Sequence, residues 1–171
     1  MKIYLTKEGR NKLEAEIARL HTDLEKIRAE KAIAYTASGD CWHDNPGFNA
    51  LEQREKKIAE NISENNKLLQ IAELVDITER NVSRVRLGSI VKIERYFVET
   101  DESFEDVWEI VGYGESDPEN RKIAYNAPLA VILLEMKRGE IKTVNHPRKG
   151  PVDYELLGLY ASWEDYKSKE E

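Results

Sequence analysis

Gly39-Asp40-Cys41-Trp42-His43-Asp44-Asn45-Pro46-Gly47 separates two long stripes of evenly spaced side chains, and the pairing of those stripes decides the fold. Upstream, Leu13, Ile17, Leu20, Leu24, Ile27, Lys31 and Ala34 follow in alternating steps of four and three. Downstream, Leu51, Glu55, Ile58, Ile62, Asn65, Leu69 and Ala72 do the same. This spacing keeps one seam of a slightly under-wound helix turned toward a partner. Gly39, Pro46 and Gly47 interrupt helix, and the short connection makes the two helices antiparallel neighbours. The expected product is a hairpin whose turn carries Asp40 and Asp44.

Working outward, Thr6 is a suitable N-cap for a first helix running to about Tyr35, and a second begins near Phe48 and reaches Ala72 or Val75. Some thirty helical residues span roughly 45 Å at 1.5 Å each. Lys31, Glu55 and Asn65 break the apolar seam, so the tip is expected to be its loosest part. Beyond the hairpin the period changes to two. Ser89 to Tyr96, Val107 to Val111, Glu140 to Val144 and Val152 to Leu156 read as strands, with a short helix from Leu129 to Met136 opening after Pro128 and stopped by Gly139.

The whole reads as α+β. Residues 1–76 form an antiparallel coiled-coil hairpin with an acidic tip at 39–47. Residues 77–84 are a linker, 85–161 a small antiparallel sheet domain with one short helix, and 162–171 a charged tail. In that tail Trp163 and Tyr166 either dock one helical turn or fray.

A net charge of −7 argues against a general nucleic-acid binder, which shows a basic face. Lys26, Arg28, Lys31, Arg54, Lys56 and Lys57 still leave room for a local basic strip near the tip. A single cysteine rules out an intramolecular disulfide and a thiolate zinc cage. No segment has the pattern of a signal peptide or of a membrane span, so no membrane partner and a cytoplasmic location are expected. A monomer is expected, although an exposed coiled coil can also pair between chains.

Two carboxylates close together on a loop can share a hard divalent cation. Mg2+ prefers one or two carboxylates with waters and substrate oxygens, so Asp40 and Asp44 suit it only if a partner supplies the remaining ligands. The alternative is that both aspartates bond their own turn backbone. His43 has no second imidazole beside it for a zinc site, and Cys41 has no base to activate it. Trp42 is either tucked between the helix ends or an anchor for a partner surface or a base.

Several segments carry a resemblance to one family. Leu5-Thr6-Lys7-Glu8-Gly9, with Lys12-Leu13 and Glu16-Ile17, resembles the N-terminal start of GreA/GreB transcript cleavage factors. Gly39-Asp40 followed by Asp44-Asn45 resembles their tip motif, Gly-Asp-x-x-Glu-Asn. Arg86 to Val91, Ile110-Val111-Gly112, Asn126-Ala127-Pro128-Leu129-Ala130 and Val152 to Leu156 follow in the family's order, so the resemblance runs from about Leu5 to Tyr160.

It implies an N-terminal coiled coil and a C-terminal domain of FKBP-like fold that act on bacterial RNA polymerase. The C-terminal domain would dock at the rim of the secondary channel and the coiled coil would enter it. Asp40 and Asp44 would help hold a second Mg2+ that activates water to cut the nascent RNA 3′ end of a backtracked complex. The polymerase would own the catalysis, and the factor would not itself be an enzyme. Partner contacts would fall to Trp42, Asn45, Asn126, Ala127 and Pro128.

The chain also departs from the family pattern. Three residues separate the two acids instead of two, and the second acid is the shorter Asp44. Pro46-Gly47 replaces residues that normally begin the second helix, Ala127 stands where serine is common, and Glu135 where glycine is expected. Stimulated cleavage is therefore one expectation, and a channel-binding regulator without cleavage the other. A prolyl isomerase, suggested by the fold alone, would need an aromatic pocket, whereas Trp108, Tyr113 and Tyr125 read as strand residues.

Overall fold

The computed structural model describes residues 2–38, 45–77 and 82–170. Strand β1 (Ile3–Leu5) leads into helix α1 (Lys7–Ser38), followed by α2 (Pro46–Ile71) and β2 (Ala72–Leu74). Then come β3 (Ile90–Phe97), β4 (Glu102–Val111), β5 (Lys122–Ala124), α3 (Pro128–Leu133), β6 (Ile141–His146), β7 (Gly150–Tyr160) and α4 (Trp163–Glu170). The chain divides into two compact units, Met1–Ile3 with Arg10–Glu73, and Tyr4–Gly9 with Leu74–Glu171. No described helix is long and apolar enough to cross a membrane.

In the first unit the seam follows the sequence stripe. Leu20, Leu24 and Ile27 of α1 and Ile62 of α2 are buried, and Ile58 packs with Leu20, Leu24 and Ile62. Leu13, Ile17, Lys31 and Ala34, like Leu51, Glu55, Asn65 and Leu69, are half-buried along the same line. Helix α1 continues past Tyr35 to Ser38.

Helix α2 begins earlier than its sequence suggests. Pro46 and Gly47, read as helix interrupters, lie inside its first turn. Pro at the first helical position gives up an N–H that has no intrahelical acceptor there, and its fixed φ already suits the helix. Asn45 caps the turn, its side-chain oxygen accepting from Gly47 N at 2.8 Å and Phe48 N at 3.3 Å.

The second unit is built on a five-stranded sheet in the order β5-β4-β3-β7-β6. Three of its pairings are antiparallel, but β5 joins β4 in parallel, so the sheet is mixed where an antiparallel one was expected. A connection through the 3₁₀ turn Pro118–Asn120 and Arg121, whose φ is +56°, brings Lys122–Ala124 back alongside β4. Val91 and Ile93 of β3, Ile110 of β4 and Leu156 of β7 point to one face, where Ala130 and Leu133 of α3 and Met136 cover them. Trp108 of β4 packs against this cluster as a strand residue; Tyr125 also packs there, but from the turn after β5, and Tyr113 lies in a turn, so neither tyrosine is the strand residue expected.

Two boundaries in this unit move. Helix α3 stops at Leu133, because Glu135 adopts a left-handed φ of +65°. Gly139, expected to end that helix, instead occupies a turn in which Glu140 N donates to Lys137 O at 3.0 Å, and its φ of +80° suits glycine. The tail does not fray: α4 forms, Trp163 Nε1 donates to the buried Glu109 carboxylate at 3.1 Å, and the Tyr160 and Tyr166 rings meet edge to face.

Helix α1 starts on a long-range version of the capping box. Gly9 N donates to Thr6 Oγ1 at 3.0 Å, the usual cap bond. The Thr6 N–H, which a glutamate three residues on would normally satisfy, donates instead to Glu115 Oε1 at 2.9 Å, and Thr6 Oγ1 donates to Glu115 Oε2 at 2.6 Å. The Glu115 carboxylate occupies the space a Cβ on Gly9 would need, which explains glycine at that place.

Candidate functional site

The end of the hairpin differs in composition from its shaft. Neither 32–38 nor 45–51 contains a charged residue, in a chain of which 35% is charged. Within one turn of the end of α1, Tyr35 is half exposed, and its ring faces that of Phe48 with centroids 6.2 Å apart. Phe48 sits within one turn of the start of α2 and is only 5% exposed. Burying a Phe side chain is worth about 1.5–3 kcal/mol, a large increment at a helix terminus.

One turn further down, the charges that interrupt the apolar seam prove to be partners. Lys31 of α1 and Glu55 of α2 meet at 2.5 Å, and Arg28 Nε reaches the other Glu55 oxygen at 2.8 Å. The Lys31 ammonium also lies 5.6 Å from the Phe48 ring centroid, a cation–π contact. Hydrogen bonds from Lys31 and then Arg28 hold the Glu55 carboxyl below the usual carboxylate range. Residues 39–44 of the tip, expected to be the loosest part, lie outside the described residues, but the hairpin is joined across both helices over 31–35. It closes there on a mixed aromatic and ionic cluster.

Among the expected site residues, Asp40, Trp42 and Asp44 lie outside the described residues. Asn45 is described, and its side-chain oxygen is committed to the α2 cap. Among the described residues no group of three or more His, Cys, Asp or Glu side chains could hold a metal ion.

Asn126, Ala127 and Pro128 fall in the other unit. Asn126 and Pro128 are exposed, and Ala127 occupies the N-cap of α3. Ala127 makes no side-chain cap bond, the bond that a serine there would supply. Close by in sequence, Glu135 holds its left-handed backbone through N–H donation to Val85 O at 3.0 Å, and its carboxylate pairs with Arg84 Nη1 at 2.9 Å. A groove of about 610 Å3 here is lined by apolar and aromatic Tyr4, Val75, Leu87, Tyr125 and Leu134 together with charged Asp76, Arg86 and Glu135.

The profile of the family described as "Transcription elongation factor, GreA/GreB, C-term" matches residues 79–160. A transcription elongation factor GreA from Halalkalibacterium halodurans is 32% identical over 158 residues, 92% of this chain and 96% of that protein. One from Thermosipho melanesiensis is 33% identical over 157 residues, 92% of this chain and 96% of that protein. Among solved structures, GreA factor homolog 1 of Thermus thermophilus aligns at 21% identity over 94% of this chain and 99% of its own, with a TM-score of 0.42.

Proposed function

The chain belongs to the GreA/GreB family of transcription elongation factors, and on that premise we propose that it binds RNA polymerase through the secondary channel and stimulates cleavage of backtracked RNA. Asp40 and Asp44 would help hold a catalytic Mg2+ shared with the polymerase, whose own activity makes the cut. The single observation that carries this reading is the continuous pairing of the hairpin to its last turns, through Tyr35 and Phe48. Asp40 and Asp44 both belong to the six residues of sequence between the helix ends so joined. Two carboxylates suit Mg2+ when substrate oxygens and waters complete the shell. That ion, when bound, would supply an activated water for hydrolysis.

The test is RNA cleavage in a stalled polymerase complex across a magnesium titration. Asp40→Asn and Asp44→Asn should each abolish stimulated cleavage and leave polymerase binding near the wild-type level. Cleavage unchanged in both variants would remove these acids from the chemistry.

A second reading is a secondary-channel regulator that modulates or inhibits transcription without stimulating cleavage. It is favoured by the spacing, since Cys41-Trp42-His43 puts one extra residue between the acids and Asp44 is one methylene shorter than glutamate. Release of short 3′ RNA fragments by the wild-type protein would exclude it.

A further inference from the structure

We propose that Glu55 and Phe48 are positioning residues for the tip acids, forming with Arg28, Lys31 and Tyr35 a clamp that fixes the separation and register of the two strands of chain entering residues 39–44. The proposal rests on the cleavage reading above and deepens it by naming what sets the geometry of its site.

Four contacts converge on two residues of α2. Both Glu55 oxygens are taken, one by Arg28 and one by Lys31, from successive turns of α1. Phe48 is almost fully buried, with the Tyr35 ring on it and the Lys31 ammonium over it. Lys31 is the shared member, joining the ionic half of the clamp to the aromatic half. Below it, the described contacts between the helices include the apolar cluster of Leu20, Leu24, Ile58 and Ile62, whose non-directional packing does not by itself fix a register. A doubly anchored carboxylate does, because a shift of one helical step breaks both of its hydrogen bonds.

The position of this cluster matters as well as its strength. Tyr35 lies within the last turn of α1 and Phe48 within the first turn of α2, so the clamp reaches both described helix ends that flank residues 39–44. The six residues between these helix ends carry both acids, so the spacing of the helix ends bounds the spacing of the acids. Chemistry that depends on such spacing is sensitive to it, since displacement of a reacting group by about 1 Å costs about a hundredfold in rate.

The experiment uses the full-length protein with a backtracked polymerase complex. Glu55→Gln keeps size and helix propensity but weakens both ionic contacts. Cleavage rate at saturating protein is measured across a magnesium titration, and half-saturating protein concentration is measured separately by competition with wild type. The expected result for Glu55→Gln is a saturating rate lowered about tenfold, with half-saturation changed less than about twofold. Equal rates for Glu55→Gln and wild type at every magnesium concentration would overturn the proposal.

Asp40→Asn run alongside keeps the two ideas separable. If wild type cleaves no faster than Asp40→Asn, the cleavage reading fails, and the clamp is judged without polymerase. For this, nitroxides are placed at Ala37→Cys and Ala50→Cys in a Cys41→Ser background. The distance distribution should broaden in Glu55→Gln and in Phe48→Leu, and unchanged widths in both would sink the clamp itself. Matched helical circular dichroism at the assay temperature excludes simple unfolding as the cause.

Discussion

The two units of this chain enclose their apolar side chains to different degrees, and the difference separates what folds the protein from what shapes its working end. In the β-rich unit, Ile93, Ile110, Leu133, Met136 and Leu156 have no solvent exposure, each surrounded by strands and α3. In the hairpin, Leu20, Leu24 and Ile62 retain 6–7% exposure, because a two-helix seam covers a side chain from one direction only. A vacancy in the first setting stays open, whereas one in the second collapses or fills with water. Equal substitutions should therefore cost unequal amounts.

The largest effect is expected from Leu133→Ala, near the upper end of the roughly 2–5 kcal/mol range for such changes. Leu24→Ala should fall near its lower end. Urea melts of both variants check the contrast, and equal losses would mean that the seam is as closed as the sheet core.

Smaller effects sharpen the comparison through charge. The Glu55 carboxyl is held below its ordinary value of 4.5, first by Lys31 and then by Arg28. A lowered value in the folded state means that the pairing stabilises above the ordinary value and is lost as pH falls through the lower one. Wild type should therefore out-melt Glu55→Gln at pH 7, by an amount set by partly exposed pairs of roughly 0.2–1 kcal/mol each. The gap should shrink as pH falls below 4.5, and a gap that does not shrink on acidification would argue that packing, not charge, holds Glu55.

The smallest effect is expected at Glu135. Its φ of +65° costs a side chain about 1–2 kcal/mol, which glycine avoids. Against that, Glu135→Gly loses the exposed Arg84 pair and adds chain entropy, each worth about 1 kcal/mol or less. The net change should stay within about 1 kcal/mol of zero by thermal melting.

The seam was legible in the sequence because a spacing of 3.5 survives two polar substitutions. What was misread there was their meaning. Lys31 and Glu55 fall at facing positions with opposite sign, and so were a pair rather than two defects. Pro46 misled for a similar reason, since a breaker in the interior of a helix is a good first residue at its start. Strand β5 was missed because three residues are too few to show alternation, and the outer half of β4, Glu102 to Glu105, because it is exposed on both faces. Glu135 was read as part of a helix reaching Met136, and its left-handed backbone is one that no pattern of hydrophobicity would reveal. The acids at 40 and 44 stayed a matter of sequence, lying outside the described residues.

The last helix bears on how this protein should be handled. The family profile stops at Tyr160, an inviting place to trim the chain for crystals or to attach a tag. Trimming there would discard Trp163, whose indole donates to the Glu109 carboxylate, and Tyr166, whose ring lies against Tyr160. A shortened version would keep every residue that the family profile matches and still expose an acid that is otherwise 5% accessible.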